Sequence, residues 1–317
     1  MKKILFSLFV SLLLTMQTYA QESQTEYNFL RLPVSAHAAA LGGDNITIIE
    51  DDPTLVFANP ALLSSVSDKT LNLNFMTYME GATTASASFN RNIKEKASVA
   101  VMAQYMDYGK MKETDQNNIQ TGEFSAKDIA LSGTFSYILS PKLAGGITAR
   151  FITSYIGSYN SIAMGVDLGL NYYDADREWS VSAVARNLGG QLKAYDDEYE
   201  KMPIDVQLGV SKKLNNLPFR LSATLVDLTH WDYSFINHLV AGVDIIISPQ
   251  IYLAAGYNFR RADEMKILAE GDEDGDSHWA GLSFGGGLQL DRFKINLAYG
   301  KYHVSSNSIT INLSYSL

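Results

Sequence analysis

The sequence predicts an all-β protein, a 14-stranded antiparallel transmembrane β-barrel carrying an N-terminal hatch segment. Three observations predict it. From residue 70 onward, apolar and polar residues alternate with a period of two. The alternating segments are mostly longer than the ~5–6 residues of soluble sandwich strands. Short turns and longer loops then alternate between them, as in barrels whose turns lie on one side of a membrane.

The chain has 317 residues, with 46% hydrophobic and only 19% charged residues, which excludes a disordered composition. Tyr (18) and Phe (14) are abundant and Pro (7) is scarce, which suits pleated, half-buried surfaces. Lys2 and Lys3, the apolar run Ile4 to Leu14, and Thr18-Tyr19-Ala20 read as a signal peptide over 1–20, cut after Ala20. Its apolar run is too short to span a bilayer. The chain has 0 Cys, which excludes lipoprotein anchoring, disulfides and thiol catalysis. Taking the two signal lysines from 25 basic residues leaves 23 against 34 acidic ones, a balance of −11. Such a chain is a poor match for nucleic acid. Past residue 20, no apolar run approaches the ~20 residues of a membrane helix. Any membrane-spanning part must therefore be a closed barrel, because lipid leaves backbone groups of an open sheet unsatisfied.

Strands are expected near 70–78, 82–91, 96–107, 125–137, 141–154, 158–173, 178–187, 203–213, 218–228, 238–247, 250–260, 278–290, 293–301 and 308–316. The last is the clearest: Ile309, Ile311, Leu313, Tyr315 and Leu317 alternate with Thr310, Asn312, Ser314 and Ser316. Leu71, Leu73 and Phe75 face away from Asn72 and Asn74 in the first. The expected turns are Asn92 to Glu95, Leu139 to Pro141, Asp174 to Arg177, Asn215 to Pro218, Ser248-Pro249 and Asp291-Arg292. Three long connections, 108–124, 188–202 and 261–277, are polar and acidic. An even strand number puts both chain ends on the periplasmic side. The apolar C-terminal strand also resembles the signal read by barrel-insertion machinery.

Residues 21–69 break the pattern and are expected to form a periplasmic hatch or plug, being too short to bury a core of their own. Ser35 to Leu41 reads as a short helix stopped by Gly42-Gly43. Asp51-Asp52-Pro53 and Asn59-Pro60 punctuate the rest.

The hatch also carries a resemblance. Ala39-Ala40-Leu41-Gly42-Gly43, Asp51-Asp52 and Phe57-Ala58-Asn59-Pro60-Ala61 look like the opening hatch of the FadL-type outer-membrane family. Tyr27 to Pro33, taken with Asn59 to Leu63, resembles more closely the PorV/PorQ branch of that family, which serves the type IX secretion system. The likeness runs over the whole chain past the signal in length and strand plan, and its specific motifs lie within 27–63. It implies a non-enzymatic outer-membrane anchor, with Gly42, Gly43, Asp51, Asp52, Asn59 and Pro60 as hatch-motif residues. It also implies partners: a PorZ-like surface protein and a PorU/PorV-type attachment complex whose PorU member is a sortase-like peptidase. The alternative is a FadL-like channel for hydrophobic solutes, which would need an apolar pocket under the hatch and a lateral opening in the wall.

Catalytic patterns are weak. Gly281-Leu282-Ser283-Phe284-Gly285 matches a nucleophile elbow but lies inside an alternating strand, where Ser283 faces the lumen. Asp272, Asp274 and Asp276 sit in an acidic loop that could bind calcium, although the full twelve-residue ligand pattern is missing. His37, His230, His238, His278 and His303 are scattered and form no metal motif. No catalytic residue and no cofactor are expected. Asp128, Arg150, Asp167, Arg186, Asp205 and Asp244 fall at lumen parity, which favours a water-filled or salt-bridged interior over a polar conduit lining. Trp179, Trp231 and Trp279, with Tyr155, Tyr159, Tyr172, Tyr173, Tyr252, Tyr257, Tyr299, Tyr302 and Tyr315, are expected in interfacial girdles. The expected mechanism is docking of a surface partner by the three long loops.

Overall fold

The period-two segments pair in sequence order into a closed antiparallel barrel. This computed structural model describes residues 25–79, 81–231, 233–265, 278–303 and 306–317. The expected signal peptide and the acidic residues Asp272, Asp274 and Asp276 lie outside them. The strands are β1 (Thr70–Thr77), β2 (Thr83–Lys94), β3 (Ala97–Thr114), β4 (Gln120–Ser140), β5 (Leu143–Ile156), β6 (Tyr159–Asp174) and β7 (Trp179–Lys193). They continue as β8 (Asp205–Lys213), β9 (Phe219–Leu225), β10 (Leu239–Ser248), β11 (Ile251–Asn258), β12 (Leu282–Gln289), β13 (Phe293–His303) and β14 (Ser306–Ser316). The ladder between β1 and β14, from Thr70 opposite Ser316 to Met76 opposite Thr310, closes the wall.

The two faces are inverted relative to a soluble barrel. On β14 the outward Ile309, Ile311 and Leu313 are 50%, 41% and 42% exposed, while Thr310, Asn312 and Ser314 are buried inside. The same holds on β1 for Leu71, Leu73 and Phe75 against Asn72 and Asn74. On β6, Met164, Leu168, Leu170 and Tyr172 face out while Ser161, Asp167 and Asn171 face in. An apolar belt outside a polar interior is the surface that a lipid bilayer requires, because exposed carbons meet hydrocarbon and every polar group can be paired within.

The wall has two heights. β3 to β7 run 14 to 21 residues, whereas β8 to β12 run 7 to 10. This revises the three expected loops. Most of 108–124 is strand, because β3 and β4 continue past their neighbours and leave a tip at 115–119. β7 takes the start of 188–202. The stretch 261–277 opens within a short helix (Phe259–Glu264) capped by Asn258. Residues His278–Gly281 form a 3-10 turn before β12 rather than the start of the strand.

Both barrel ends, Thr70 and Ser316, sit at the mouth that carries the tight turns, here called the turn end. The hatch does not begin there. Thr25 bridges to Lys201 in the β7–β8 connection, at the loop end. The hatch is therefore lumenal and runs from one mouth to the other.

The belt predicts a position-dependent penalty. Leu297→Arg, at mid-wall and 50% exposed outward, is expected to cost ~2–4 kcal/mol. Leu290→Arg at the rim should cost ~0–1 kcal/mol. Denaturant unfolding in lipid vesicles measures both.

Candidate functional site

The interior is polar, so whatever fills it must be both compact and richly hydrogen-bonded. The hatch meets both demands. At the loop end, the Tyr27 hydroxyl lies 2.5 Å from Ser161 Oγ and accepts from Gln191 Nε2 at 3.0 Å. Phe29 and Leu30 then bury against Met106, Ile152 and Met202. Their carbonyls accept from Gln104 Nε2 and Arg186 Nη2 respectively.

The expected helix is α1 (Ala36–Ala40). Ser35 caps it by accepting from Ala38 N at 3.2 Å. Leu41 ends it, and Gly42 and Gly43 both take φ +107°, a region that favours glycine. Alanine is required along this helix because the wall is very close. A Cβ on Gly256 would collide with the Leu41 main chain, and one on Gly285 would meet Ala40 Cβ at 2.9 Å. Farther on, Asp52 caps the 3-10 turn Pro53–Phe57 through Thr54 N. Asn59 caps the next, Pro60–Ser65, and donates to Ile46 O at 2.9 Å and Ser182 Oγ at 3.3 Å. Pro60 lies over Gly146 and Gly169, where any side chain would clash. Asp51 pairs with Lys294 of β13 and accepts from Ser67 N. Of the six hatch-motif residues, Gly42 and Gly43 turn the chain, Asp52 and Asn59 cap turns, Asp51 is ion-paired and Pro60 is seated on wall glycines.

Of three buried ionic clusters, the first and third tie the hatch to the wall, and the second lies within the wall beside it. The first centres on His37, whose side chain is fully buried. Its ring nitrogens lie 3.1 Å from Glu50 Oε2 and 2.7 Å from Asp244 Oδ1. Arg220 bridges the same carboxylates, at 2.6 Å to Glu50 and 2.7 Å to Asp244. Tyr252 stacks on the imidazole with ring centroids 3.9 Å apart. A carboxylate on each nitrogen requires both to donate, so His37 is an imidazolium and the cluster balances two positive charges against two negative ones. Burial alone would lower the His37 pKa, but Glu50 and Asp244 raise it to about 10. Burial works the other way on Glu50, yet Arg220 and His37 hold its carboxyl below the usual range.

In the second cluster, Arg150 donates to Asp167 at 2.7 Å and to Asn187. Beside it a cavity of about 20 Å³ is lined by Arg31, Asp44, Arg150 and Arg186. That is room for roughly one water. The third lies toward the loop end, where Asp227 receives Arg31, Arg260 and His230.

All six charges at lumen parity are buried inside: Arg150, Asp167 and Asp244 are ion-paired, while Asp128, Arg186 and Asp205 are held by hydrogen bonds. Ser283 is also lumenal, 3.3 Å from Arg261 Nη2, in a regular strand without an elbow. Four expected girdle residues, Tyr159, Tyr173, Tyr252 and Tyr302, fall at lumen parity and are corrected. Tyr252 points inward onto His37, and Tyr302 is turned toward Arg261 and Gly43, because both occupy lumen parity. Trp179, Tyr155 and Tyr172 do face outward. Sequence reading left His37 and Arg220 unassigned. The available signal was the unmatched carboxylate at Asp244, which called for a buried cation.

This architecture defines a class: a closed fourteen-stranded membrane barrel with a lumenal N-terminal hatch. Among solved structures, the Pseudomonas putida toluene transporter TodX is similar, with a TM-score of 0.58 and 17% identity over 89% of this chain and 97% of that one. A Pseudomonas aeruginosa FadL homologue is similar at TM-score 0.56 and 11% identity, over 89% and 98%. The Ralstonia pickettii toluene transporter TbuX follows at 0.55 and 11%, over 89% and 96%. At these identities the likeness is one of fold. No family model matches the chain, and no curated protein matches it.

Two outcomes test the cluster. Asp244→Ala leaves two buried cations facing one carboxylate and should cost ~3–5 kcal/mol, read by thermal unfolding in detergent, with faster proteolysis of the hatch. The folded-state pKa of His37 lies above its unfolded value of 6.5. Its contribution is therefore full below pH 6.5, declines as pH rises, and is gone above about 10. A pH series of hatch proteolysis should show that decline in the native chain and a flatter profile in His37→Gln.

Proposed function

We propose that this chain is an outer-membrane anchor that works through its outward surface, as a docking subunit of a type IX secretion attachment complex. The turn end faces the periplasm and the loop end faces out. One observation carries the reading: the hatch occupies the lumen from mouth to mouth, ion-paired to the wall and seated on its glycines. A barrel so filled is built to hold position. Support for the partner class comes from the resemblance of residues 27–63 to the PorV/PorQ branch. A PorZ-like surface protein and a PorU/PorV-type complex are the partners that it implies.

A second reading, passage of hydrophobic solutes, has its own support, and the structural comparisons lean toward it over the anchor. TodX and TbuX are described as toluene transporters, and CymD, at TM-score 0.58 and 14% identity, as a monoaromatic hydrocarbon channel. The apolar cluster that Phe29 and Leu30 fill near the loop end is where such a solute would first be held.

The two readings separate in one strain pair. For the anchor, deleting the gene releases surface-attached cargo into the medium, while uptake of labelled toluene by cells and by vesicles carrying the purified chain stays at background. For the channel, uptake depends on the chain and cargo attachment does not.

A further inference from the structure

The unequal wall leaves part of a strand without a neighbour. β2 pairs with β3 only as far as Thr83 opposite Asp107, and the chain then turns back, with Tyr78 N donating to Ala82 O. β3 continues to Thr114, paired on its other side with β4. Among the described residues, no strand pairs with the outer edge of Tyr108–Thr114. The edge stands above the β1–β2 turn, clear of the apolar belt.

The direction of its backbone groups can be worked out. Gly157 N donates to Ser125 O, so Ser125 turns its main chain toward β5. Lys110 lies opposite Ser125 across β3 and β4. In an antiparallel ladder such a pair is the non-hydrogen-bonded kind, and its two residues point their N–H and C=O groups away from each other. Lys110 therefore offers both groups to the open edge. Lys112, two residues on and opposite Glu123, does the same, while Met111 opposite Phe124 bonds to β4. A bulge at Asp107/Lys110, with Gly109 at φ +75°, sets this segment apart from the membrane part of the strand.

Side-chain charge selects what can pair there. Lys110 and Lys112 are both exposed, and Lys110 reaches Glu123 at 3.3 Å on the β4 side. A second copy of this chain is disfavoured, since the antiparallel pairing that uses both edge residues sets Lys110 against Lys112. Like charges directly opposed across strands repel. A strand with carboxylates at those positions is attracted instead.

We propose that the free edge of β3 at Tyr108–Thr114 is a strand-addition site for a surface partner protein, taking an extended segment with Asp or Glu opposite Lys110 and Lys112. The proposal rests on the anchor reading, which it deepens by naming the seat and the partner's chemistry. It converts the expected loop docking at 108–124 into main-chain pairing.

The test uses the full chain in detergent, with a short synthetic peptide alternating glutamate with valine and its lysine counterpart as probes. The glutamate peptide should bind and slow amide exchange at Lys110 and Lys112 by about tenfold or more, and the lysine peptide should do neither. Lys112→Pro removes an edge-facing N–H while sparing the β4 ladder, so binding should be lost with Met111 protection kept. The double variant Lys110→Glu, Lys112→Glu should reverse the preference. The site is overturned if the glutamate peptide does not bind, if protection appears elsewhere, or if Lys112→Pro binds as well as the native chain. In cells, cargo attachment that persists in Lys112→Pro rules the edge out as the partner's seat and leaves the anchor reading standing. Cargo attachment that persists in a full deletion overturns the anchor reading instead, and the peptide result then decides the edge alone.

Discussion

The structure depends on one constraint: a sheet immersed in hydrocarbon has no water to satisfy its backbone, so its first and last strands must meet. The Thr70–Met76 and Thr310–Ser316 ladder meets it. Closure then dictates the side chains. Carbon faces out, every second residue faces in, and the inward set must be polar or small. An interior of serines, asparagines and charges cannot pack itself as a hydrocarbon core would. It has to be filled by something that returns its hydrogen bonds.

The hatch is that filler, and its composition follows from the task. Alanine and glycine allow main chain to lie against main chain, as Leu41 does over Gly256. Asp52 and Asn59 open turns with their own side chains, which satisfy the N–H groups of Thr54 and Ala61 within the hatch. His37 and Glu50 supply the counter-charges that Arg220 and Asp244 need. A buried ionic cluster of this kind adds little net stability, because desolvation offsets the attraction. What it supplies is position, since one geometry satisfies all four groups.

Much of this was legible in the sequence, and what was not has a physical reason. Strand existence and facing follow from local periodicity, so all fourteen segments and the lumenal Asp244, Arg150 and Arg186 were visible. The helix at Ala36–Ala40 was visible from Ser35 and Gly42-Gly43, both local signals. The pairing of His37 with Asp244 was not, because it joins residues 207 apart in sequence, and only the closed ring brings them together. The inward turn of Tyr252 and Tyr302 was readable from parity but was masked by the tendency of tyrosine to mark interfaces. The length of β3 and β4 was missed because their outer parts are dominated by Lys, Glu, Gln, Thr and Gly, with too few apolar residues to mark a strand by alternation.

One consequence concerns how the molecule is made. The hatch enters at the loop end and leaves at the turn end, where it continues into β1. A ring that sealed first would have to admit this segment lengthwise, past glycines that leave no clearance for it. A wall that closes around residues 25–69 needs no such threading, and the β1–β14 seam is where such a ring would seal.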